Sequence, residues 1–214
     1  MRTEALLILS RWLSPSFPTG GFAWSHGLEA EVAARRITSA EQVRAWLAGV
    51  LAHGSGRNDA ILLAASWNAS TDEERAELAA LALALAAGTE RATETSAQGA
   101  AFAQALKDGD GLVLPDWPLP VVVGAASRAM GAPLHETLLL YLQNFATNLI
   151  QVAIRHLPLG QGEGQAMLAS LSPLIRELAG EAMHAGLEDL GGCALAADMA
   201  SIEHETMQPR IFRS

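Results

Sequence analysis

Histidine, which titrates near neutrality and ligates metals, is the residue type best placed to do chemistry in this 214-residue chain. Its six histidines (His26, His53, His135, His156, His184, His204) are scattered. None makes the His-X-X-X-His or His-Glu-X-X-His pair that sets two ligands on one helix face. His204-Glu205 is adjacent in sequence, and neighbouring side chains converge on one ion only where the chain is extended and a second chain contributes. No metal site is therefore assigned. Cys193 is the sole cysteine, which rules out an internal disulfide and a cysteine-rich metal centre within one chain and fits a reducing compartment. The chain has neither a Gly-X-X-X-X-Gly-Lys-Ser/Thr phosphate loop nor a Gly-X-Ser-X-Gly elbow. Asp108, Asp110 and Asp116 sit near glycines in the manner of a calcium loop. The sixth and twelfth positions of that register hold Val113 and Leu119 instead of glycine and glutamate, so the loop is rejected. No catalytic residue and no cofactor is assigned. What remains is a polar set in one turn, Ser25, His26 and Glu29, and a cation, Arg155, at the end of a long apolar stretch. A small all-helical enzyme with a buried pocket built on His26, Glu29 and Arg155 is one way to use them.

The turn that carries the polar set runs from Leu13 to Glu29. Pro15 and Pro18 bias their neighbours away from helix, Gly20 and Gly21 permit backbone angles closed to other residues, and Phe17, Phe22 and Trp24 are large enough to pin the turn to a core. Around it the chain reads as helix after helix, with no sustained alternation of period two. The expectation is an all-α, single-domain bundle of roughly eight to ten helices over residues 1–185, followed by an irregular C-terminal tail over 186–214. The first helix spans about Thr3–Leu13 and the second carries Leu28, Val32 and Ala33. Thr38 and Glu41 stand in capping-box spacing before Val43, Trp46, Leu47, Val50 and Leu51, an apolar face closed by Gly54. After a break at Ser55-Gly56-Arg57 a helix covers about Ala60–Ala69. Thr71 with Asp72, Glu73 and Glu74 opens the next, closed by Gly88.

Thr89–Lys107 has small residues along one side (Ala92, Ser96, Gly99, Ala103), the signature of close helix packing. Asp108 to Pro120 reads as a connector. Pro133 opens the longest helix, in which Leu138, Leu142, Phe145, Leu149, Val152 and His156 recur at spacings of four and three, and which ends before Pro158. Shorter helices are expected at Gln165–Leu171 and, after Pro173, at Leu174–Ala185. From Gly186 onward no long apolar face is evident, so the tail is expected to be flexible when unbound, at least over its last ten or so residues.

Three stretches resemble the urease accessory protein UreF family. Leu13-Ser14-Pro15-Ser16-Phe17-Pro18-Thr19-Gly20-Gly21-Phe22-Ala23-Trp24-Ser25-His26-Gly27-Leu28-Glu29 is similar to that family's Leu-Pro-Val-Gly-Gly-Phe-Ser-Tyr-Ser-X-Gly-Leu-Glu. Arg155-His156-Leu157-Pro158-Leu159-Gly160-Gln161 resembles its Lys-Leu-Val-Pro-Leu-Gly-Gln. The chain end from His204-Glu205-Thr206 through Arg210-Ile211-Phe212-Arg213-Ser214 resembles His-Glu-Thr-Gln-Tyr-Ser-Arg-Leu-Phe-Arg-Ser, with Met207-Gln208-Pro209 in place of Gln-Tyr-Ser. The resemblance implies a non-enzymatic adaptor that meets UreD (also called UreH) and the GTPase UreG on apo-urease, supports nickel insertion, and forms a homodimer. It places Gly20, Gly21, Phe22, Ser25, His26, Glu29 and Arg155 on the UreG side or in the dimer region. Arg155 is the candidate arginine finger, positioned by Glu29. It places His204, Glu205, Arg210, Ile211, Phe212, Arg213 and Ser214 on the UreD side. In that docking Ile211 and Phe212 enter an apolar groove, while Arg210 and Arg213 pair with carboxylates on its rim.

Composition agrees with such a role. A net charge of −9 argues against sequence-independent nucleic-acid binding, which demands a basic surface. Half the residues are hydrophobic and only 17% are charged, so part of the apolar surface is expected to be covered by partner subunits or a second copy. The longest apolar run, near Leu78 to Ala87, is well short of the roughly 20 residues that span a bilayer. Glu4 and Arg11 interrupt the N-terminal apolar stretch, which argues against a cleaved signal peptide. A cytoplasmic protein with no membrane partner is expected.

Overall fold

A computed structural model describes residues 2–213. Within them the chain forms ten α-helices, two short 3-10 turns and no strand. In order these are α1 (Arg2–Trp12), a 3-10 turn (Gly21–Ala23), α2 (Leu28–Ala33), α3 (Ala40–His53), α4 (Ser55–Asn68) and α5 (Asp72–Ala84). They are followed by α6 (Thr89–Asp110), α7 (Leu119–Ala129), α8 (Leu134–His156), α9 (Gln161–Ala182), a second 3-10 turn (Leu187–Asp189) and α10 (Leu195–Glu205). The all-α expectation holds, and the longest apolar face does mark the central helix. α8 packs against α9, α4, α3, α7, α2 and α1 and buries Leu138, Leu142, Ala146, Leu149, Val152 and Ala153. By length and composition α8 alone among the described helices is long and apolar enough to cross a membrane. Its packing on so many neighbours makes it a core helix here.

Several local readings need correction. The cap of α3 is Ser39, whose hydroxyl accepts from the Gln42 amide at 3.3 Å, while the Gln42 side chain accepts from the Thr38 amide at 2.9 Å. The cap is thus shifted one residue from the Thr38–Glu41 pair, with Gln42 at the third helical position reaching back past the cap to the Thr38 amide. The Thr71–Glu74 box of α5 is present in both directions, each bond 3.2 Å. No break separates α3 from α4 beyond Gly54 itself. Gly88 does not close α5 but caps α6 at its N-terminus.

The connector is present over residues 111–118, but its first acidic residues belong to helix. α6 continues to Asp110, whose carboxylate takes the Arg11 guanidinium and the Trp12 indole N–H, the latter at 3.0 Å. The small-residue side of α6 meets the connector that follows it: a Cβ on Gly99 would lie 1.9 Å from the Trp117 carbonyl oxygen. α7 carries no polar stripe over most of its length, since Pro120 to Ser127 are all buried, and it packs on α4, α6 and α8. A helix wrapped on every side offers no period to read. Pro173 lies inside the continuous α9 rather than between two helices. It and Ala169, whose carbonyl loses its helical donor, are both exposed, so the freed acceptor lies on the solvent side of the helix.

Beyond Gly186 the chain holds a helix, α10, which turns Ala197, Ala200, Ser201 and His204 onto α2 and α6. The pattern there was hard to see because the inward residues are small or polar rather than large and apolar.

Candidate functional site

The glycine turn has the shape its residues demand. Gly20 caps the 3-10 turn with φ 71°, and Gly27 caps α2 with φ 78° while seated so closely on α10 that a Cβ would stand 2.6 Å from the Ser201 amide nitrogen. Trp24 is buried and Phe17 packs on the Phe102 ring at 5.2 Å. Phe22, expected as a third anchor, is 52% exposed instead. The Arg155 guanidinium lies over its ring at 5.6 Å and donates to its carbonyl oxygen at 3.5 Å.

His26 and Glu29, three residues apart, enter two different clusters. His26 faces inward with φ 51°. Its Nε2 lies 3.0 Å from Glu94 Oε1, its Nδ1 lies 3.3 Å from Ser55 Oγ, and its ring meets the edge of Phe145. Behind it, Arg91 donates to both Asp59 oxygens at 2.7 Å and to Glu94 at 3.0 Å, and the Tyr141 hydroxyl donates to Asp59 at 2.8 Å. Gln98 donates to Glu94 at 2.8 Å. Burial acts to raise the Glu94 carboxyl, but the charges of His26 and Arg91 outweigh it and bring its pKa down to about 2. Burial next to Asp59 pushes the Tyr141 hydroxyl well above its ordinary value. This inner cluster ties the turn to α4, α6 and α8.

Glu29 belongs to an outer cluster that fastens the chain's end. Its Oε1 accepts the Ile211 amide at 2.7 Å, and its Oε2 accepts the Phe212 amide and His204 Nε2, both at 2.9 Å. The other ring nitrogen of His204 lies 2.9 Å from Glu90, which also takes the Arg210 guanidinium. Glu205 Oε1 accepts the Glu90 amide at 3.2 Å, at the N-terminus of α6 where the helix dipole favours an anion. Phe212 is buried with its ring on His156 at 4.9 Å, and the Arg213 amide donates to the Ala23 carbonyl at 2.8 Å. Burial acts to raise Glu29, but its bonds from His204, Ile211 and Phe212 together bring its pKa below the usual carboxylate value. For Glu90 burial prevails over His204 and Arg210, and its pKa is raised.

The structure therefore separates the trio proposed as an enzyme pocket. His26 belongs to the inner cluster, Glu29 to the outer one, and Arg155 is exposed beside Phe22. Glu29 does not position Arg155, because both its oxygens are engaged by the tail. A cavity of about 70 Å³ beside His26, Ser55, Asp59 and Arg91 has room for only a few waters and is far below the usual size of a small-molecule site. Among the described residues, no group of three or more His, Cys, Asp or Glu side chains is arranged to hold a metal ion. Of the tail residues, His204 and Phe212 are buried, Glu205 is half-buried, Arg210, Ile211 and Arg213 are exposed, and Ser214 lies outside the described residues. Sequence reasoning missed Asp59, Glu90, Arg91, Glu94 and Tyr141. The signal available was Glu90, Arg91 and Glu94 spaced along one face of a predicted helix otherwise lined with small residues.

The fold and the site define an all-helical protein whose buried charges join its own segments, N-terminal turn to core and C-terminal tail to turn. Residues 37–172 match the profile of the UreF family. Proteins named urease accessory protein UreF are similar along the full chain. That of Cereibacter sphaeroides is 49% identical over 212 residues, covering 99% of this chain and all of the relative. That of Roseobacter denitrificans is 45% identical over 214 residues, covering all of this chain and 96% of the relative. That of Brucella ovis is 42% identical over 217 residues, covering 99% and 95%. The chain belongs to the UreF family of urease accessory proteins.

Proposed function

We propose that this chain is a non-enzymatic cytoplasmic adaptor that, as a homodimer, joins UreD (UreH) and the GTPase UreG on apo-urease and supports nickel insertion during urease maturation. Family membership supports the maturation role. The observation that carries the docking part is the outer face of α10. Leu195, Met199 and Ile202 recur there at spacings of four and three and are 64%, 62% and 51% exposed, with Ile211 exposed further along the tail. A single exposed leucine is ordinary, but a helical stripe of large apolar residues turned to water fits a partner's groove. In this reading α10 and Ile211 meet UreD, and Phe212 serves from inside by holding the tail in place. Arg155 and Phe22 form the separate contact offered to UreG, and Arg155 is the residue through which GTP hydrolysis would be modulated. Leu6 and Leu7 are exposed on α1, and Leu6 borders a groove with Leu139, Leu140 and Ile175, an apolar area suited to a second copy.

Co-purification with UreD and UreG followed by a size measurement tests the proposal. The expected result is a complex containing all three chains with two copies of this one. A monomer that ignores both partners would overturn it.

A further inference from the structure

We propose that His204 is a positioning residue rather than a partner contact, and that the C-terminal segment is clasped to the body only while this cluster holds a proton. His204 is completely buried, and each of its ring nitrogens faces a carboxylate oxygen at 2.9 Å, Glu29 on α2 and Glu90 on α6. An ionised carboxylate only accepts hydrogen bonds, and a neutral imidazole donates from one nitrogen alone. Both bonds therefore exist together only if the Glu29–His204–Glu90 chain carries one proton more than a neutral ring between two carboxylates. That count is the same whichever side of the Glu90 bond the proton rests on. Without it, a nitrogen lone pair would face a carboxylate oxygen in a site closed to water, and the cluster would hold an uncompensated negative charge.

The remaining charges around the ring are consistent with this balance. Arg210 from the tail offsets one carboxylate, from the side of Glu90. Glu205 accepts the Glu90 amide, and its negative charge acts on Glu90 in the direction that holds a proton in the cluster. On α8, the Nδ1 of His156 lies 3.3 Å from the Val152 carbonyl, so that Nδ1 donates, while Nε2 lies 3.5 Å from Glu29 with no hydrogen-bond partner. Glu29 is the hinge of the arrangement, because the carboxylate that needs His204 also accepts the amides of Ile211 and Phe212. Losing the proton thus frees the backbone of the tail and, with it, the Phe212 ring on His156.

The consequence is a tail whose presentation depends on pH. This inference rests on the adaptor reading only for its biological use, since the clasp lies within a single chain and is tested without partners. Opening releases one proton, so the population of the open tail rises with pH, by at most about tenfold per pH unit. The experiment is amide hydrogen exchange on the full chain from about pH 6 to about pH 9, corrected for the intrinsic rate, read at Ile211, Phe212 and Arg213. It is paired with a spectrum of the ¹⁵N-labelled histidine rings. The expected result is protection of those three amides that falls as pH rises over part of that range, by up to about tenfold per pH unit, with the extra proton seen on the ring or on its Glu90 bond where protection is high. In His204→Gln, which keeps the size and one donor, the three amides lose protection at every pH while those of α4 and α8 keep theirs. Overturning results are protection that does not change with pH, protection retained in His204→Gln, a neutral ring beside an ionised Glu90 in the protected state, or tail amides unprotected throughout. Should His204→Gln fail to fold, the wild-type profile and ring spectrum decide alone.

Discussion

The inner and outer clusters use the same chemical groups, buried carboxylates answered by histidine and arginine, yet they are tethered differently. The inner one joins α4, α6, α8 and the turn, all parts of the continuous body, and its central cation is Arg91, which keeps its charge at any pH the protein meets. The outer one takes its cations from the last eleven residues of the chain, and the one fully buried among them is an imidazole. A buried carboxylate answered by a fixed cation on a packed helix behaves as a permanent joint. One answered by a histidine on a terminal segment is conditional, because the chain end leaves without unfolding the body and the charge itself depends on a proton.

The comparison breaks most visibly at Arg91. Arg91→Ala leaves Asp59 and Glu94 buried without their cation, and a loss of about 3–5 kcal/mol in denaturant-measured stability is expected. The matching change in the outer cluster, Arg210→Ala, is expected to cost less than about 1 kcal/mol of global stability, since the guanidinium is partly exposed. Equal losses would mean that the two clusters are one structural unit.

Acid comes next. Glu94 is lowered from 4.5 to about 2, so its ionised form is favoured by folding. The stabilisation is complete above about pH 4.5 and is lost as pH falls toward 2, amounting to about 3 kcal/mol by linkage. Glu29, also lowered, contributes with the same sign. Thermal melts of Glu94→Gln should show a flatter acid limb than the parent chain.

Glu29→Ala removes the acceptor of two tail amides. Each such loss costs about 1–3 kcal/mol locally, and it should appear as faster exchange at Ile211 and Phe212 with the melting of the body little changed. The smallest effect is expected at Arg155→Ala. The side chain is exposed, so stability should move by no more than about 0.5 kcal/mol, while binding to UreG and its stimulated GTP hydrolysis should fall.

Much of the helical order was legible because large apolar residues repeat at helical spacing in α3 and α8, and because Thr71 and Glu74 announce a helix start. α7 was not legible, since Val121, Val122 and Val123 are all fully buried and leave no polar face to set a phase. α10 was obscured for the opposite reason: its inward side is Ala197, Ala200, Ser201 and His204, and its large residues face out. The turn and the tail were recognised as special from their residues. That Glu29 joins one to the other was not, because a contact between positions 29 and 212 has no signature in local spacing. The same holds for Arg91 and its partner Asp59 on α4, which meet only in three dimensions, whereas Glu94 lies three residues along the same helix.

The adaptor account is tested most directly on the outer face of α10, which the clasp does not use. In the variant Leu195→Ser, Met199→Ser, Ile202→Ser the exposed stripe is removed while Ala197, Ala200, Ser201 and His204 stay in place. The account predicts unchanged helicity, unchanged protection at Ile211 and Phe212, and UreD binding weakened about tenfold or more, as loss of several apolar anchors requires. Binding to UreD with undiminished affinity would contradict it.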